Sequence, residues 1–86
     1  MKRLNWQKRI STAGKPGYNP VYDHRAVGHI GGKPWVFDLE WRGTAWHLEG
    51  RDHRGVLRRR RRYPNLAMAK QRADIFLNKQ QKAEAS

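Results

Sequence analysis

The sequence predicts an α+β fold, a three-stranded antiparallel sheet packed against one C-terminal helix. Trp35, Phe37, Leu39 and Trp41 alternate with Val36, Asp38, Glu40 and Arg42, a period of two that belongs to a strand with one buried face. Gly31-Gly32 before that run and Gly43-Thr44 after it have the chemistry of two-residue hairpin turns. Beyond Pro64-Asn65, the residues Leu66, Ala69, Ala73, Phe76, Leu77 and Gln80 recur at helical spacing.

The elements follow in chain order. Residues 1–20 are expected to form a basic arm, partly flexible: Leu4, Trp6 and Ile10 are scattered, and Gly14-Lys15-Pro16-Gly17 and Asn19-Pro20 break any regular run. Trp6 has reason to dock in a groove, because a lone indole seeks apolar surface. A single domain is expected over 21–80. Its first strand is VYDHRAVGHI, residues 21–30; the second is the alternating run; the third is Ala45–Glu49. A Gly43-Thr44 turn sets Trp41 opposite Trp46, Leu39 opposite Leu48, Glu40 opposite His47 and Asp38 opposite Glu49, a like-charge pair. A turn at Arg42-Gly43 instead sets Asp38 opposite His47. Both registers keep the same residues on the same face. Residues 50–55 form a loop. Val56 to Tyr63 is either a short further strand or an ordered loop edge. Asn65 is the expected helix N-cap, and residues 81–86 are an expected frayed tail. The helix stripe should cover Trp35, Phe37, Leu39, Trp41, Trp46 and Leu48, since burying each large side chain is worth about 1.5–3 kcal/mol.

Composition narrows the function. The 86 residues carry 19 Lys+Arg against 7 Asp+Glu, a formal net charge of +12, and no cysteine. A chain this short holds one small core. Without cysteine there is no disulfide, thiolate zinc site or thiol nucleophile. No apolar run approaches the roughly 20 residues of a membrane-spanning helix, and no apolar stretch follows Met1-Lys2-Arg3 as in a secretory signal. The expected location is cytoplasmic. His24, His29, His47 and His53 lack metal-ligand spacing, so no metal or cofactor is expected. Neither a nucleophile signature nor a glycine-rich phosphate loop is present, so the chain does not read as an enzyme.

The charge is uneven: residues 1–17 carry +5, residues 18–52 carry −1 and residues 53–86 carry +8. Like charges at this density oppose compaction, and a polyanionic partner relieves them. Nucleic acid is the expected partner, duplex DNA ahead of RNA, with little sequence preference. The candidate contacts are Arg54, Arg58, Arg59, Arg60, Arg61, Arg62 and Lys70, with Lys2, Arg3, Lys8 and Arg9 as a second anchor. Guanidinium groups bind phosphate in a two-pronged fork and stay charged at any relevant pH. An extended run points Arg58, Arg60 and Arg62 one way and Arg59 and Arg61 the other. The alternative is a protein-interaction module that binds an acidic host protein, suggested by the near-neutral face of Asp38, Glu40, Arg42 and His47.

The order strand, strand, strand, helix, with RYPNLAMAKQRAD at Arg62 to Asp74, resembles the small three-strand-plus-helix DNA-binding domains. These are the N-terminal domains of transposon tyrosine integrases and the ethylene-response-factor type domain. The resemblance covers roughly residues 21–78 and implies a sheet that enters the major groove. Asp38, Glu40 and Glu49 stand on the face those families make basic, so their strand contacts do not transfer. Trp6, Gly17-Tyr18 and the run Tyr63-Pro64-Asn65-Leu66-Ala67-Met68-Ala69-Lys70 also resemble short basic proteins of actinobacterial phages. That likeness implies an accessory protein acting in a host cytoplasm.

Overall fold

A computed structural model describes residues 3–8 and 23–85, apart from the side chains of residues 84 and 85. Five strands, β1 (Gln7–Lys8), β2 (His24–Ile30), β3 (Lys33–Trp41), β4 (Trp46–Arg51) and β5 (Leu57–Tyr63), precede one helix, α1 (Leu66–Ala85). The sheet is an antiparallel meander in the order β1-β2-β3-β4-β5. The α+β class and the C-terminal helix match expectation; the strand count is five rather than three. β1 is two exposed residues, too short to show alternation. β5 is the further strand that the sequence left open beside a loop edge, because arginine occupies positions where a core strand carries apolar residues.

The turns set the register. Gly31 and Gly32 have φ of 60° and 76°, the left-handed pair that a tight hairpin turn needs. Gly43 has φ of 81°, and Arg42 N donates to Ala45 O at 3.1 Å. The turn is therefore Gly43-Thr44, with Trp41 opposite Trp46, Leu39 opposite Leu48 and Asp38 opposite Glu49.

The core lies between the sheet and α1. Ala26, Ile30, Trp35, Phe37, Leu39 and Leu48 from the strands meet Ala69, Ala73 and Leu77 from the helix. Phe37 stands between two small neighbours, Ala26 on β2 and Gly50 on β4. A methyl group at Gly50 would sit 2.9 Å from Phe37 Cε1, so the ring occupies the space that glycine leaves. Trp41 departs from the expected core. The buried rows end at Leu39–Leu48, and Trp41, in the last pair before the turn, is 45% exposed.

Asn65 caps the helix, its Oδ1 accepting from Met68 N at 2.8 Å. The helix runs to Ala85, through the segment expected as a tail, and Gln81 Nε2 donates to His29 O at 2.8 Å. Of the predicted arm, residues 3–8 pack on the domain. Leu4 is buried, its N–H donates to the buried Asp74 Oδ1 at 2.7 Å, and Trp6 packs against the core. The rest of the arm, with Lys2 and Arg9, lies outside the described residues.

Candidate nucleic-acid interface

β5 is an outer strand of the sheet. It runs opposite β4 from Trp46–Tyr63 to Gly50–Arg59, then the register slips and Arg51 stands opposite Leu57. The slip makes Arg58 an extra residue, and a bulge of this kind breaks strict alternation. Arg58 and Arg59 consequently share the helix side, not opposite sides as the extended run predicted. Arg58 Cζ lies 5.5 Å from the Trp35 ring and Arg59 Cζ lies 5.3 Å from the Phe76 ring. Phe76 packs in turn on Trp35 and Phe37, with centroids 6.1 Å away in both cases. These two guanidiniums thus close the edge of the aromatic core, each stack being worth about 0.5–2 kcal/mol.

The other three arginines are differently placed. Arg60 and Arg62 stand opposite Glu49 and His47 on the open face, while Arg61 stands opposite Leu48 on the helix side. Arg60 Nε is 3.9 Å from Glu49 Oε2, a loose contact. Arg61 Nη1 donates to the backbone carbonyl of Arg60 at 2.9 Å. No carboxylate lies within ion-pair distance of Arg61 or Arg62 among the described residues.

Asp52 organises the loop that leads into β5. Its Oδ1 accepts from Arg54 N at 2.9 Å and from Val56 N at 3.0 Å, and Arg58 Nη1 lies 3.3 Å from its Oδ2. Arg54 Nη2 is 3.8 Å from the same oxygen. Burial pushes the Asp52 carboxyl up, but the Val56 and Arg54 amides and the Arg58 and Arg54 guanidiniums outweigh it and hold its pKa below the ordinary value. Arg54 and Arg58 are therefore partly committed to this carboxylate.

The acidic open face is locally neutralised. Arg25 grips Asp38 with two hydrogen bonds of 2.6 and 3.1 Å, Arg42 Nε lies 3.1 Å from Glu40 Oε1, and Arg51 Nη2 lies 3.7 Å from Glu49 Oε1. These pairs relieve the like-charge opposition of Asp38 and Glu49.

Arg3, Lys8 and Lys70 lie apart from β5. Lys8 stands opposite His24 on the β1 edge, and Arg3 and Lys70 line a groove with Leu4, Trp6 and Asp74. Four inter-strand intervals separate the two edges, about 19 Å. Burial and the charge of Lys70, with a smaller effect of Lys8, hold the His24 pKa below its ordinary value against the pull of Asp23. Among the described residues the expected cations thus fall into two groups, Arg54 with Arg58 to Arg62, and Arg3 and Lys8 with Lys70. Arg72 and Lys79 lie one turn before and one turn after Phe76, on the helix stripe nearest Arg59. Their spacing from an aromatic that belongs to the core stripe was the signal for them.

Among the described residues no group of three or more His, Asp or Glu is placed to hold a metal ion, and no helix is long and apolar enough to cross a membrane. Compared with known proteins, the chain matches no family model, no curated protein and no solved structure.

Proposed function

We propose that this is a non-catalytic nucleic-acid-binding accessory protein whose β5 edge holds backbone phosphates. The observation that carries the reading is the pair Arg61 and Arg62, exposed on opposite sides of an outer strand with no carboxylate in reach among the described residues. Arg60 joins them by releasing a loose contact to Glu49. Arg54 and Arg58 flank the site, and Arg59 shapes it. Arg3, Lys8 and Lys70 form a second anchor away from β5. Such contacts fix position on a polyanion without reading sequence, so DNA of any sequence is a ligand and duplex DNA is the first probe. Fluorescence anisotropy with labelled duplex DNA over a salt series tests this. If about five phosphates are neutralised, log K falls against log salt with a slope near −4 to −5. A flat response, or no binding at low salt, rejects the reading.

A second reading, a protein-interaction module, draws on the open face. There Val27, Val36 and Leu57 share a row with the stem of Arg51, Val27 being 49% and Leu57 39% exposed. A partner captured from nuclease-treated host lysate, with no binding to DNA, favours it over the first.

A further inference from the structure

Trp41 lies open at one end of a row of aromatic side chains. Its ring centroid is 5.5 Å from that of Trp46, its partner across the hairpin. Trp46 stands opposite Tyr63 of β5 and packs on His24, 5.7 Å away. The row spans three adjacent strands and ends on the arginine strand, with Trp41 about 10 Å from Tyr63. The indole is carried on fixed backbone: Trp41 N donates to Asp23 Oδ2 at 2.7 Å, and the Arg42–Ala45 bond closes the turn beside it. Arg42 is occupied with Glu40, so the charge next to the ring is balanced.

Cations stand at the Tyr63 end of this row and beside His24, which packs on its middle ring. Arg61 precedes Tyr63 by two residues on the same side of β5. Lys8 pairs with His24 in the β1–β2 ladder, and Lys70 is near enough to His24 to depress its pKa. The aromatic row, half-buried except at Trp41, therefore lies between the two basic groups. An exposed indole between two sets of cations matches a flat ring flanked by phosphates. Inside a continuous duplex the base faces are covered by their neighbours, whereas an unpaired base offers its face to an aromatic side chain.

We infer that Trp41, backed by Trp46, is a stacking platform for an unpaired base, so that a single-stranded segment binds better than uninterrupted duplex. This rests on the reading that the β5 edge holds phosphates. A phosphate lies at Arg61, on the side of β5 that Trp41 shares, and one base reaches across to Trp41.

The test compares a labelled oligothymidine of about ten nucleotides with an abasic deoxyribose-phosphate oligomer of the same length. Oligothymidine is expected to bind about tenfold more tightly, the effect of one stacked base. Trp41→Ala abolishes that advantage and leaves the affinity for the abasic oligomer unchanged, while Trp41→Phe retains most of it. Unchanged abasic binding also reports that the variant is folded. Equal affinity of the two oligomers for the native protein overturns the inference, as does an equal loss for both in Trp41→Ala. In either case phosphate binding stands. Failure of the native protein to bind either oligomer while it binds duplex DNA overturns this inference alone; failure to bind duplex DNA as well removes the phosphate reading with it.

Discussion

Replacing Arg60, Arg61 and Arg62 together with glutamine is expected to weaken duplex DNA binding about a hundredfold near 0.1 M salt and to flatten the salt slope by about three units. The expectation follows from the division of labour within the run. These three guanidiniums are exposed, and the contacts they make are a 3.9 Å approach to Glu49 and a hydrogen bond to a neighbouring carbonyl. Removing them takes away charge without opening the core, so stability should move by no more than about 0.5 kcal/mol. Arg58→Gln and Arg59→Gln differ in kind. They strip the guanidiniums from Trp35 and Phe76 and, for Arg58, a partner from Asp52. Those two changes should lower thermal stability more than they lower affinity. Anisotropy and thermal melts on the same variants separate the effects. A triple variant that binds like the native protein would remove β5 from the interface.

Phe37→Ala is expected to cost about 3–5 kcal/mol. A domain of this length has roughly 4–13 kcal/mol in all, so the variant is at best marginally folded. Phe37 is fully buried, packs edge-on against Phe76 at 6.1 Å and fills the space above Gly50. Its removal leaves a cavity that two small neighbours, Ala26 and Gly50, cannot close. It also withdraws support from Phe76, on which Arg59 rests. Urea denaturation followed by tryptophan fluorescence measures the loss. A cost below about 1 kcal/mol would mean that the core is centred elsewhere.

What the sequence made legible was the part governed by local rules. The alternation from Trp35 to Trp41 and the Asn65 cap each have a short-range physical cause and stand where expected, and the turn is Gly43-Thr44, one of the two the sequence allowed. The strands that went uncounted depend on distant partners. Gln7 and Lys8 form a strand because Arg25 and His24 lie opposite them. β5 is a strand because β4 offers a free edge, and its arginines pack by stacking on Trp35 and Phe76, contacts that no periodicity of hydrophobic residues records. The candidate site was legible as a cluster of charge but not as a shape. The bulge beside Gly50 reverses the side of Arg58, and Lys70 lines a groove with Arg3 rather than flanking the run. Trp41 read as core because its spacing is that of Leu39; only the position of the last buried row reveals it as surface.

The central claim is that β5, not the open face, meets the polyanion. Titrating the isotope-labelled protein with duplex DNA and following its backbone amides by NMR tests this directly. The account predicts shifts gathered at Arg54 and from Arg58 to Tyr63, with a second set in residues 3–8, while Val36, Asp38 and Glu40 on β3 stay in place. Shifts concentrated on those three residues, with 58–63 unmoved, would contradict it.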